Sequence, residues 1–233
     1  RYRPDLGFYD RMGGVARGFS EKFPDWERSP LTVEVRNKKK HRRLFLTHRR
    51  CFYETDLRTA IPAGEYEAAQ SCLETICAGL EVSDLQRIGV RQWFAADLGK
   101  TFALMVDELE SRFLKKDNSL SAILADKTED LAYVVDYETT DGWNYHLRLG
   151  PMTRDEWFRR FPYEVNMFEA PDEDDAATFE DYRASLPDNF LYIDVDCYQE
   201  NVSAQQLKEL VQTFRHHSHK LAGDLIKYCG GNH

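Results

Sequence analysis

A chain of 233 residues with 42% hydrophobic and 30% charged side chains can bury a sizeable core, which excludes a disordered or fibrous class. No apolar run approaches the roughly 20 residues a membrane-crossing helix needs, so the expectation is a cytoplasmic protein with no membrane partner. The net charge of -9 is unevenly spread, because residues 1–50 hold fourteen Lys/Arg against six Asp/Glu and leave the remainder strongly acidic.

In chain order, residues 1–30 carry scattered aromatics and read as an irregular lead-in. Leu31-Thr32-Val33-Glu34-Val35-Arg36 alternates as a half-buried strand should. A basic turn over 37–41 leads to a second strand at about 43–53, giving a β-hairpin with a positive tip. Lys38, Lys39, Lys40, Arg42 and Arg43 cluster there, with Arg49 and Arg50 beyond. Such a ribbon can contact phosphates, and Phe45, Phe52 and Tyr53 offer rings on which bases could stack. A solvated hairpin tip is the plainer alternative.

Pro62-Ala63-Gly64 resets the chain, after which Tyr66, Ala69, Leu73, Ile76, Cys77 and Leu80 recur at helical spacing. A strand over 85–94 follows, then a helix with Phe102, Met105, Val106, Leu109 and Phe113 on one face. After the polar stretch 115–127, Leu131, Tyr133, Val135 and Tyr137 line a strand, and Thr140-Asp141-Gly142 is turn chemistry. Trp143, Tyr145, Leu147 and Leu149 line the returning strand, which Gly150-Pro151 should end. Thr153 and Glu156 form a capping box opening a short helix with Trp157 and Phe161. The stretch 169–181, with seven carboxylates and no Lys or Arg, reads as part of an inserted surface excursion over 169–188. A strand over 190–197 and a long helix capped by Ser203 and Gln206 complete the chain.

This order gives ββαβα twice. At an offset of about 105 residues, Ile88-Gly89-Val90-Arg91 answers Ile193-Asp194-Val195-Asp196. The expectation is an α+β fold of two pseudo-repeated halves, 31–116 and 128–229, with antiparallel or mixed sheets and helices packed on one face.

Asp194 and Asp196 project to one face of their strand, roughly 7 Å apart, as a pair that can hold divalent cations for phosphoryl transfer. The string resembles the first carboxylate motif of translesion DNA polymerases. However, the Ser-Xaa-Asp-Glu motif that should follow is not found in the about 35 residues after Asp196. The repeat offers another reading. Arg87 and Arg91 share the polar face of the matching strand, so Arg91 can pair with Asp194 or Asp196 between the halves.

His216 and His219 form an i,i+3 pair, a weak metal candidate beside His217, and a solvated helix face is the plainer reading. There is no GxSxG elbow and no P-loop. The five cysteines include no CxxC, which suits a reducing compartment, and no cofactor is expected.

Gln86-Arg87-Ile88-Gly89-Val90-Arg91, the strand 191–196 and the final helix with its 214–219 region resemble a sporadically distributed bacterial family of uncharacterised proteins found among defence and mobile-element genes. That family reads Arg-Ile-Gly-Leu-Arg-Tyr at the first stretch, where this chain has Val90 and Gln92 and lacks the asparagine that usually follows. The resemblance spans roughly residues 30–228. It implies a bacterial origin and a defence role, and supplies no catalytic residues. Two functions therefore stand side by side. One is a non-catalytic sensing or adaptor protein that binds a protein or nucleic-acid partner through the basic hairpin and a cleft between the halves, whose polar face carries Arg87, Arg91, Asp194 and Asp196. The other is a metal-dependent nucleotide or phosphodiester enzyme using Asp194 and Asp196.

Overall fold

The computed structural model describes residues 1, 7–29, 31–40, 42–55, 64–114, 129–160 and 181–230. His41, Pro62, Ala63, the polar stretch 115–127, Phe161 and the acidic residues 169–180 lie outside them. The protein is α+β, with two antiparallel four-stranded sheets. The chain divides into two compact units, Arg1–Gly89 with Tyr198–Arg215, and Val90–Cys197 with His216–His233. No helix of the described residues is long and apolar enough to cross a membrane.

In the first unit, the stretch expected to be irregular contains helix α1 (Phe8–Arg17) and strand β1 (Asp25–Arg28). The helix follows from Phe8, Met12 and Val15, whose spacing of four and three puts all three buried side chains on one stripe. Phe19 and Phe23 extend that apolar series and are also buried. β2 (Thr32–Asn37), β3 (Arg42–Thr47) and β4 (Cys51–Thr55) then meander beside β1 in the order β1-β2-β3-β4. The single strand expected over 43–53 is thus two, with Thr47 holding the tight turn by accepting from the main-chain N–H of Arg49 and Arg50.

Val33, Val35, Leu44 and Leu46 form the buried face of this sheet, each contributing about 1.5–3 kcal/mol when fully removed from water. Helix α1 packs on β2, and helix α2 (Glu65–Gly79) packs on β4 and α1. Gly79 lets the helices approach, because a Cβ there would lie 2.6 Å from Val15 Cγ2.

The second sheet has the order β5-β8-β7-β6, formed by β5 (Asp84–Ala96), β6 (Tyr133–Glu138), β7 (Asn144–Thr153) and β8 (Asn189–Ser203). β5 and β8 carry the chain from one unit into the other, as does the final helix α5 (Leu207–Gly230). The two expected repeats are therefore not alike in topology. β2 and β3 of the first half lie in a sheet with β1 and β4, apart from β5, whereas β6, β7 and β8 of the second half share one sheet.

In the second unit, helix α3 (Phe102–Phe113) packs on β7 with Phe113 against Tyr133, and His217 of α5 lies on Trp143 of the same face. Helix α4 (Arg154–Arg160) covers the opposite face, where Trp157 joins Met152, Phe190 and Tyr192 in a buried cluster. Helices thus flank this sheet on both faces rather than one. The reason lies in β8, whose residues 190–195 are all buried and need cover on each side. Tyr182 and Leu186 belong to that cluster, so the described end of the expected surface excursion is core.

Gly150-Pro151 does not end β7. β6 begins with Tyr133 opposite Leu149, so residues 150–153 run past its end, where a proline without an N–H is tolerated. Both expected caps form. Thr153 exchanges hydrogen bonds with Glu156 at the start of α4, and Ser203 with Gln206 makes a capping box before α5.

Candidate functional site

The polar face of β8 was the sharpest chemical candidate, and its neighbour on β5 decides its character. Asp194 is buried, and its two carboxylate oxygens accept from Arg91 Nε at 2.9 Å and Nη2 at 2.6 Å in a bidentate fork. The Tyr192 hydroxyl donates to the same carboxylate at 3.2 Å. The hydrogen bond to Asp194 raises the Arg91 guanidinium above its ordinary range, and burial beside that carboxylate raises the Tyr192 hydroxyl. Arg91 also lies 5.5 Å from the Trp93 ring centroid, which fixes its approach from one side.

The partner of Asp194 is thus a side chain on the adjacent strand of one sheet, not a residue facing it across a cleft. Arg87 stacks on Tyr198 at 3.6 Å, and Asp196 is half-buried further along β8. Among the described residues, no three His, Cys, Asp or Glu side chains gather in a metal-holding group.

The α5 histidines are dispersed in the same way. His217 lies 4.7 Å from the Trp143 ring, and its Nδ1 is 2.6 Å from the Tyr145 hydroxyl. His219 instead faces Phe94 and Gln92, while His216 is exposed on the outer side of α5.

The basic hairpin forms, but its cations divide into three environments. Arg42 points inward and pairs with buried Glu65, which also accepts from the Tyr53 hydroxyl. Burial and that bond push the Tyr53 hydroxyl up. Arg43 points outward and is neutralised by Glu54, with its Nε at 2.9 Å, and by Glu34 at 3.5 Å. Glu34 also holds Arg36 at 2.7 Å. Lys38–Lys40 form a 3-10 turn at one end of β3, with Lys39 and Lys40 exposed. Arg49 and Arg50 lie at the other end, about 20 Å away along a six-residue strand. The run of positive residues in sequence is therefore not one patch in space.

Between those ends the outward face carries a ladder that the sequence showed only as separate rings. Phe45 and Phe52 are cross-strand partners and stack with centroids 4.9 Å apart and planes 21° apart. Arg43 lies over Phe52 at 5.4 Å and Arg50 over Phe45 at 6.0 Å, so a guanidinium flanks each ring. Tyr53, the third expected ring, faces inward. The missed partner was Glu65. A charged residue opening a helix reads as an ordinary first-turn carboxylate, and only the sheet above it reveals its role.

Comparisons with protein-family models, with curated proteins and with solved structures return no match to this chain.

Proposed function

We propose that this protein is a non-catalytic binding protein whose partner is a single-stranded nucleic acid, taken up on the outward face of the first sheet. The observation that carries the reading is the Arg50–Phe45–Phe52–Arg43 ladder on that face. Any base has a π-face, so stacking on such rings is tolerant of sequence and adds about 1–3 kcal/mol per base. Arg50 and Arg49 beside the rings supply phosphate contacts, and Lys39 and Lys40 mark the far end of the track.

Arg36 and Arg43 are already neutralised by Glu34 and Glu54, so only about two to four cations release counterions on binding. The salt dependence should accordingly be shallow, with a slope of log K on log salt of about -1.4 to -2.8. The non-catalytic part of the reading is supported by Arg91. It occupies both oxygens of Asp194, the residue an enzyme built on this strand would need.

Fluorescence anisotropy with labelled oligothymidylate and oligouridylate of about 12 nucleotides tests the reading. Binding that falls at least tenfold in F45A/F52A and returns in F45Y/F52Y supports it. It fails if the wild-type protein does not bind, or if F45A/F52A binds as well as wild type.

A further inference from the structure

In the second unit, a cavity of about 330 Å³ lies beside α4, walled by the lead into β6, by the end of β7 and by the last turns of the helix, with Tyr192 contributing from β8. Its size is that of a small-molecule site. Gly150 shapes it, because a Cβ there would stand 2.5 Å from the Leu131 carbonyl oxygen. Only glycine lets that backbone close the wall.

Three arginines line this cavity, Arg148, Arg159 and Arg160. Among the described residues none of them meets a carboxylate. Arg159 Nε bonds the main-chain oxygen of Asp155 at 3.3 Å, Arg160 lies over the Tyr192 ring at 5.6 Å, and Arg148 makes no ion pair with a described residue. Several other arginines of the chain are paired. Arg42, Arg43, Arg91, Arg154 and Arg183 each have an acidic partner.

The two carboxylates of the lining do not fill that role. Glu156 is occupied at 2.9 Å by both the N–H and the hydroxyl of Thr153, and Asp130 accepts from the Leu131 N–H at 2.8 Å. Three arginines along one concave site, beside the apolar side chain of Met152, attract an anion that also carries an apolar or sugar part.

We propose that this cavity binds a small phosphate-bearing ligand, with Arg148, Arg159 and Arg160 holding the phosphate. The guanidinium fork matches phosphate oxygens in geometry as well as charge. The volume exceeds what inorganic phosphate fills, so an attached sugar or nucleoside occupies the remainder. The cavity shares no residue with the first sheet.

Thermal unfolding with about 10 mM adenosine monophosphate, ribose 5-phosphate or adenosine tests this. For a Kd near 1 mM, about 10 mM ligand should raise Tm by about 3–6 °C. A rise with both phosphates, or with the nucleotide alone, supports the site and tells whether the base enters it. Adenosine alone should leave Tm unchanged. The R148Q/R160Q variant should lose at least tenfold in affinity, while K220Q, at an exposed lysine of α5, should respond as wild type. The proposal is overturned if neither phosphate shifts the wild-type Tm, if adenosine shifts it equally, or if R148Q/R160Q responds like wild type.

Discussion

Replacing Arg91 by methionine keeps most of the side chain's volume and removes its charge, leaving the buried carboxylate of Asp194, among the described residues, with the hydrogen bond from the Tyr192 hydroxyl alone. Breaking a buried pair in this way costs about 3–5 kcal/mol. Since the Arg91 side chain is 51% exposed and Asp194 only 2%, water reaches one partner but hardly the other, which favours the low end, about 3 kcal/mol. For a protein of this length that is a fall in Tm of about 6–12 °C.

The converse change, Asp194→Asn, frees a guanidinium that already reaches solvent and should cost about 1–1.5 kcal/mol. The double variant R91M/D194L, which replaces the pair with apolar groups, should return close to wild type. Urea unfolding followed by circular dichroism measures all three through the midpoint at unchanged slope. If R91M costs less than D194N, or if the double variant is as damaged as R91M, the buried-pair reasoning is wrong.

Two further expectations follow from the packing, beside those for the sheet face and the arginine-lined cavity. Gly79→Ala should lose about 1 kcal/mol, because the strain of a Cβ at 2.6 Å from Val15 outweighs the gain in helix propensity. In a Val15→Ala background the same change should stabilise by about 0.5–1 kcal/mol, read by urea unfolding. Burial pushes the Cys197 thiol from 9.0 up to about 12, so the folded chain keeps a proton that the unfolded chain loses. That contribution is complete below about pH 9 and is lost as pH rises toward about 12, so stability should fall with pH in this window. The fall should be shallower in Cys197→Ala, and an equal slope in both proteins would remove Cys197 as a cause.

The sequence carried the elements wherever periodicity was strong. The alternation over Leu31–Arg36, the stripe of α5 and the two capping boxes all stand in the structure, because each is set by neighbours within a few residues. It also put Arg91 within reach of Asp194, since strand parity alone places both on polar faces.

What was not legible is what depends on distant partners. Whether Lys39, Arg43 and Arg50 form one patch depends on where β3 turns, and a run of eleven residues over 43–53 does not announce the bend held by Thr47. The four-three spacing of Phe8, Met12 and Val15 is present in the sequence, but Gly13 and Gly14 within it weaken the helical signal. The three arginines of the cavity are spread over β7 and α4 and carry no motif, so only the fold gathers them.

The most direct measurement of the central claim is photo-crosslinking of the full chain to oligothymidylate, with the modified residue located by mass spectrometry. The account predicts adducts at Phe45 or Phe52, reduced when unlabelled oligouridylate competes. Adducts confined to Lys39 and Lys40, or to the second unit alone, would contradict it.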